Sequence, residues 1–330
     1  MLDTTEDVAT KPAPAADVEN YEPENLRQIV RDHAAVNSTS YRAIAAAAEV
    51  GESTLTAWLK GKYKGNNENI ERSVRIWLKS QQTFATAKAE LPDELGFVHT
   101  RTAKNFLTTL EFAQAMPDVV VITGGAGVGK TSACLQYKAT HPNVWHLTAE
   151  PSVSSSYHMM EYLRETVGLP EMASYRVSRA IMLKVRQSQG LIIVDEAQHL
   201  TTQALDQLRS VHDRSHVGLA LVGNEDVWRR LDGGGRKAEF AQLFSRVGMR
   251  VTASRPTKKD VEEMMDAAGI VDDKQRATLK TIAGRPGALR YMTKVLRVAR
   301  RLASGDKTEL TEAHIMAAWN RLEDRTTGAA

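Results

Sequence analysis

Five short apolar runs punctuate the middle of the chain: Val119 to Thr123, Val144 to Thr148, Leu191 to Val194, Leu219 to Val222 and Met249 to Val251. Each is brief and bounded by helical-period or polar segments, the mark of a buried strand. Strands alternating with helical patterns predict an α/β fold with a parallel sheet. After Pro256 the spacing becomes helical throughout, over Lys258 to Ala268, Asp273 to Ala283, Gly287 to Ala303 and Thr311 to Leu322, which predicts a small all-α module. Nearer the start, Ile44, Ala45 and Ala48 share one apolar face, Val50 occupies a turn, and Leu55, Trp58 and Leu59 recur at helical spacing. Ser40 to Tyr63 therefore reads as a helix-turn-helix with Glu52 to Lys60 as its second helix. Glu49 stands in the turn where glycine commonly supplies a positive φ, a substitution that costs about 1–2 kcal/mol.

Residues 81–98 show weak periodicity and contain Pro92, which predicts a linker, and residues 1–24 are too polar and proline-rich to bury a core. The expected organisation is a disordered tail (1–24), a helix-turn-helix domain (25–80), a linker (81–98), an α/β core (99–255) and a helical C-terminal domain (256–330). No repeat of 20–50 residues suggests a solenoid.

Charge sharpens this division. The 330 residues sum to only +3, which neither requires nor excludes a nucleic-acid partner. Resolved along the chain, residues 1–24 hold seven acids against Lys11, a net of −6. Residues 25–80 hold nine basic residues against five acids, a net of +4, and Arg285 to Arg301 holds six basic residues and no acid. In that last stretch Arg290, Lys294, Arg297 and Arg301 step by 4, 3 and 4 along one helical face, with Met292, Val295, Ala299 and Leu302 on another. A solvated face is the default reading of such a stripe, and contact with DNA or a partner is the alternative. The single cysteine, Cys134, excludes an internal disulfide and fits a reducing cytosol. No stretch approaches the roughly 18 apolar residues of a membrane span, and no leader pattern opens the chain, so a soluble intracellular protein is expected.

The chemistry is carried by Gly124-Gly125-Ala126-Gly127-Val128-Gly129-Lys130-Thr131, which follows the first apolar run and precedes a helical stretch opened by Lys130, Thr131 and Ser132. This is the G-x-x-x-x-G-K-[ST] phosphate loop in its strand–loop–helix setting. Its glycines let backbone N–H groups face phosphates, Lys130 neutralises β/γ oxygens and Thr131 ligates Mg²⁺, so ATP with Mg²⁺ is the expected ligand. Cys134, one turn further on, reads as a core residue. Leu191-Ile-Ile-Val-Asp195-Glu196 is the expected partner: a buried strand delivers Asp195 to the metal shell and Glu196 to a water. His199 has no second ligand at metal spacing and reads as structural or as an intermolecular contact. Asn224 ends another apolar run, where an amide can hold an attacking water or a γ-phosphate oxygen. Arg246 precedes the last run, where a guanidinium either meets a neighbouring subunit's nucleotide or makes a surface ion pair. In the helix-turn-helix, Ser53, Thr54, Thr56 and Lys60 are candidates for the exposed side of the second helix, with Lys62, Tyr63 and Lys64 just beyond for phosphates. A protein-docking role for this module is the alternative.

With these strings assembled, the chain resembles the AAA+ ATPases of DNA transposition, and among them the target-DNA activator B (MuB) family of Mu-type phages. The resemblance spans about Asn25 to Leu322. It rests on the helix-turn-helix with Lys62-Tyr-Lys-Gly-Asn-Asn-Glu, Gly127-Val-Gly-Lys-Thr131, Asn143-Val-Trp145, Gly190-Leu-Ile-Ile-Val-Asp-Glu-Ala197, Gly223-Asn224, Gly233-Gly-Gly-Arg236, Glu239-Phe-Ala-Gln-Leu-Phe-Ser-Arg246 and Pro286-Gly-Ala-Leu-Arg290. The acidic tail, Glu49 and Gln198 depart from the pattern. The resemblance implies an ASCE-type P-loop sheet with a helical lid, sensor 1 at Asn224, an arginine finger at Arg246 and a sensor 2 arginine at Arg290. It also implies Arg176, Arg179, Lys184 and Arg186 as channel-facing DNA contacts; Lys294 and Arg297 are DNA candidates from the basic stripe itself. The activity implied is weak ATP hydrolysis, stimulated by DNA and transposase, in a protein that forms ATP-dependent filaments on double-stranded DNA. Such a protein delivers target DNA to a cognate transposase in the bacterial host cytoplasm. Two alternatives stand beside this: a helicase loader sharing the ATPase core, and a nucleotide-switched transcription regulator.

Overall fold

The computed structural model describes residues 21–89, 95–231 and 245–327. The acidic stretch 1–20, Pro92, the Gly233-to-Arg236 string and residues 239–244 of the next string lie outside them. The chain divides into two compact units, Met1–Pro92 and Asp93–Ala330.

The first unit is built from α1 (Pro23–Val36), α2 (Tyr41–Ala47), α3 (Glu52–Leu59) and α4 (Asn67–Ala89). Pro23 pre-sets helical φ at the start of α1, and Leu26 and Val30, four residues apart, are buried. Pro23 and Glu24 therefore belong to a helix, and not to a tail ending at residue 24. The Ser40 side chain caps α2 by accepting from the Ala43 N–H, and Leu55, Trp58 and Leu59 of α3 are buried as their spacing predicts. Between α2 and α3, Glu49 adopts φ +55°, the left-handed conformation expected of glycine. Ile70, Val74, Trp77 and Leu78 turn one stripe of α4 onto the same core. α4 then continues through residues 81–89, so the first half of the expected linker is helical. Gln82, Thr83 and Phe84 there are exposed.

The second unit holds α5 (Arg101–Ala115), β1 (Val119–Gly124), α6 (Lys130–Thr140), β2 (Val144–Thr148), α7 (Ser156–Thr166), α8 (Ser174–Val185), β3 (Leu191–Asp195), α9 (Thr202–Ser215), β4 (Gly218–Gly223), α10 (Glu225–Leu231) and β5 (Val247–Ala253). All five strands are parallel, in the order β2-β3-β4-β1-β5. Alternate residues serve opposite faces. Val119, Val121, Ile192, Val194, Leu219 and Leu221 pack with the apolar sides of α7, α8 and α9, while Val120, Ile122, Leu191, Ile193, Ala220 and Val222 pack with α5 and α6. Strands covered on both faces read as continuous apolar runs, which is why the sequence pattern located them. β4 lies between β1 and β3, so the phosphate-loop strand and the acidic strand are next-nearest neighbours, as in ASCE-type sheets.

The C-terminal module comprises α11 (Lys258–Ala267), α12 (Asp273–Ala283), α13 (Ala288–Gly305) and α14 (Glu312–Thr327), around Met265, Leu279, Ile282, Val295, Leu296 and Ile315. It is tied to the α/β layer by Asp260, whose side chain is fully buried. Its carboxylate accepts from the Thr102 N–H (2.8 Å) and Oγ1 (2.6 Å) at the start of α5, and from the Thr257 N–H (2.7 Å) and Oγ1 (2.8 Å) at its own helix cap. Burial alone would raise the Asp260 pKa, but these donors outweigh it and hold the carboxyl below its ordinary value. A depressed folded-state pKa contributes stability above the unfolded value, near 4, that is lost as pH falls through the folded one. Asp260→Asn keeps the shape but turns an NH₂ toward N–H donors, leaving buried polar groups unpaired. The variant should lose about 2–3 kcal/mol at pH 7 in urea denaturation of the full chain. Its deficit should shrink below pH 4, and an undiminished deficit at pH 3 would refute the account.

Candidate nucleotide-binding site

β1 ends at Gly124 under the loop that α6 follows. Two glycines supply backbone that other residues reach only with strain, Gly127 at φ +78° and Gly129 at φ +97°. Val128 is buried and anchors the loop in the core, while Ala126 and Ser132 are exposed. Gly127 also has no room for a side chain: a Cβ there would stand 1.9 Å from the carbonyl oxygen of Gly287, in the turn that opens α13. The helical module thus abuts the phosphate loop.

Lys130 Nζ donates to the carbonyls of Gly124 (2.8 Å) and Gly125 (2.9 Å), holding the ammonium under the loop. Burial pushes the Lys130 pKa down, Asp195 and Glu196 oppose this, and nearby Arg290 adds to the lowering. Arg290, in the first turn of α13, is therefore brought to the loop that its distance in sequence conceals. Thr131 Oγ1 donates to Asp195 Oδ2 at 2.7 Å, and Asp195 is buried at the tip of β3. The pair suits Mg²⁺, which takes few protein oxygens and completes its shell with phosphate and water. Among the described residues no group of three or more His, Cys, Asp or Glu could hold a metal ion. A positively charged lysine beneath glycine backbone, with a hydroxyl and a carboxylate at one edge, fits a triphosphate and its metal. Cys134 is buried and burial pushes its thiol far above the usual range, so it packs and does not react.

Glu196 follows Asp195 in the left-handed conformation, φ +54°. Gln198, in the short turn Ala197–His199, donates from Nε2 to Glu196 Oε2 and accepts through Oε1 from the Asn224 N–H at 3.3 Å. Asn224 itself accepts through Oδ1 from the Asp226 N–H (2.9 Å) at the head of α10. His199 is exposed on the same turn. Gln198 stood in the sequence only as a departure from a pattern; its bridging role has no signature in spacing.

Arg246 lies apart from this cluster. Val119 pairs with Val247 in the parallel register, so Arg246 sits beside the beginning of β1, at the sheet edge opposite the phosphate loop. Its Nε donates to Asp213 at 3.0 Å, Arg209 holds the same carboxylate at 2.7 Å, and the Arg246 side chain remains 51% exposed. Partial burial would raise the Asp213 pKa, yet Arg246 and Arg209 hold it below the usual carboxylate value. Arg250, on β5, stacks over Trp228 with its guanidinium 4.0 Å from the ring centroid.

The basic candidates occupy three surfaces. On α3 and just beyond its end, Ser53, Thr56, Lys60 and Lys62 line an open groove of about 700 Å³ with Glu52 and Ala57, Thr54 is half-buried and Lys64 is exposed. Arg176, Arg179 and Lys184 are exposed along α8 and Arg186 just beyond it, with Arg176 stacked on exposed Tyr175 at 5.4 Å. On α13, Arg290, Lys294, Arg297 and Arg301 are exposed opposite buried Met292, Val295 and Ala299. No helix among the described residues is long and apolar enough to cross a membrane.

Comparison with known proteins supplies the lineage. Residues 116–231 match an AAA domain family, and residues 245–322 match the family described as Mu B transposition protein, C terminal. Over 300 residues, 90% of this chain and 94% of the relative, the sequence is 34% identical to the ATP-dependent target DNA activator B of Escherichia phage Mu. It is 32% identical over 268 residues, 80% of this chain and 92% of the relative, to the Mu-like prophage FluMu DNA transposition protein B of Haemophilus influenzae. Among solved structures, Cdc6p from Pyrobaculum aerophilum aligns with a TM-score of 0.50 at 13% identity, covering 67% of this chain and 66% of that one, a likeness of fold alone. With an AAA domain over residues 116–231 and this identity over nine-tenths of its length, the chain belongs to the family of the ATP-dependent target DNA activator B proteins.

Proposed function

We propose that this protein binds ATP and Mg²⁺, assembles as a filament on double-stranded DNA with little sequence preference, and presents that DNA as the insertion target to a cognate transposase. The observation that carries the reading is the placement of Arg246. An exposed guanidinium at the sheet edge opposite the protein's own phosphate loop suits a neighbouring subunit's nucleotide, which makes nucleotide the cement between copies. In this reading Lys130 and the loop N–H groups hold the phosphates, and Thr131 and Asp195 hold the metal. Asn224 and Arg290 sense the γ-phosphate, and Glu196 accepts a proton from the attacking water. Bound Mg²⁺ supplies charge neutralisation at the β/γ oxygens. Hydrolysis removes the γ-phosphate contact, loosens the interface and releases DNA, so a transposase that stimulates hydrolysis clears DNA already carrying its element. The basic surfaces of α3, α8 and α13 make weak phosphate contacts that repetition along a filament turns into firm, salt-sensitive attachment.

Electron microscopy of the full chain with random-sequence duplex, with and without ATP and Mg²⁺, tests this. Continuous coating only with ATP, weakening steeply with salt, is the expected result. Protection confined to one palindromic site would overturn it in favour of a nucleotide-switched regulator. Coating with no effect on strand transfer by the cognate transposase, together with recruitment of a replicative helicase, would overturn it in favour of a helicase loader.

A further inference from the structure

The side chain of Gln198 spans two groups of the site. Its Nε2 donates to the Glu196 carboxylate, and its Oε1 accepts from the backbone N–H of Asn224 at 3.3 Å. Those two residues close different strands, β3 and β4. An amide is planar, so its oxygen and nitrogen turn together. A movement of the Asn224 backbone therefore reorients the donor that fixes the carboxylate. The neighbouring backbone leaves room for this bridge: at Gly223 a Cβ would meet Gln198 Oε1 at 2.2 Å and Val227 Cγ2 at 2.7 Å. Glu196 is held at φ +54°, a conformation that persists where surroundings over-determine it.

We infer that Gln198 is a positioning residue that couples the γ-phosphate-sensing turn at Asn224 to the water-activating carboxylate of Glu196, by holding one and reading the other through a single amide. The inference rests on the reading of Glu196 as the base and Asn224 as the sensor. Gln198 acts through Glu196 and not on the reacting atoms. It fixes the Glu196 carboxylate through Oε2 and leaves Oε1 to receive the proton. When Asn224 is drawn toward a γ-phosphate, the amide carries the displacement to the carboxylate.

The test is steady-state ATP hydrolysis with duplex DNA present, alongside titration with a fluorescent ATP analogue and a thermal melt. Gln198→Glu keeps an oxygen for the Asn224 N–H but replaces the donor with a second carboxylate. It should lower kcat by about 10–100-fold, the usual penalty of a misplaced catalytic group, with analogue affinity within about twofold of wild type. Gln198→Ala should do the same, and adding Asn224→Ala to it should cost clearly less than Asn224→Ala costs in the wild-type chain, because the part of the Asn224 effect that runs through the relay is already lost. Gly223→Ala, which dislodges the amide without altering it, should reproduce the kcat loss. Wild-type kcat in Gln198→Glu would overturn the inference, as would losses of Gln198→Ala and Asn224→Ala that multiply in the double variant. A change confined to affinity or melting temperature would also overturn it. Glu196→Gln serves as the separate control: retained hydrolysis in that variant would refute the base assignment itself, whatever Gln198 does.

Discussion

Lys130→Ala should weaken ATP binding by roughly two to three orders of magnitude. The ammonium is held beneath the loop by the carbonyls of Gly124 and Gly125, at 2.8 and 2.9 Å, within reach of Asp195, Glu196 and Arg290. Removing a partly buried cation from a phosphate site leaves the anion's charge unanswered, a loss of about 3–4 kcal/mol, and each 1.4 kcal/mol is about tenfold in affinity. The same substitution strips two loop carbonyls of their donor, so the empty loop loses its brace as well. Calorimetric titration with ATP and Mg²⁺ measures the first effect. If assembly on DNA depends on nucleotide, sedimentation with duplex should fail in the same variant. Binding within threefold of wild type would show that the loop does not hold the phosphates in the manner described.

Arg246→Ala should separate binding from turnover. A six-residue strand spans roughly 20 Å, and Arg246 lies beside the wrong end of β1 to reach its own loop. Affinity of the isolated protein for ATP should be unchanged, while DNA-stimulated hydrolysis falls by about 10³-fold, the scale of a missing arginine finger, and ATP-dependent sedimentation on DNA disappears. Asp213, itself paired with Arg209, holds the Arg246 guanidinium at the surface in the free chain. If hydrolysis and assembly survive the substitution, that ion pair is the whole role of Arg246.

Much of this was legible in the residues because burial on both faces writes strands as plain apolar runs, and because a phosphate loop is a local object. Val119 to Thr123, the glycine loop and the Asp195-Glu196 tip needed no knowledge of tertiary contacts. What escaped is what joins distant segments. Asp260 meets Thr102 across 158 positions, and Arg246 meets Asp213 across 33. Arg290, placed at the nucleotide only by the resemblance, comes near enough to Lys130 to lower its pKa once the helical module packs on the loop, and Gln198 links two strand tips that are adjacent solely because of strand order. The continuation of α4 past residue 80 escaped for another reason: the exposed run Gln82 to Phe84 leaves no apolar period to find.

The order of the strands carries a mechanical consequence. β4 is bonded to β1 on one side through Gly223 and to β3 on the other through Leu221. Its last residues, Val222 and Gly223, pair with Ile122 and Thr123 of β1, while the pairing with β3 ends at Leu221, so a load applied at its tip passes first to the loop-bearing strand. A pull on Asn224 would therefore be felt first by the strand that carries the phosphate loop and, one pairing further down β4, by the strand that carries Asp195, while β2 and β5 at the two outer positions would feel it only through β3 and β1.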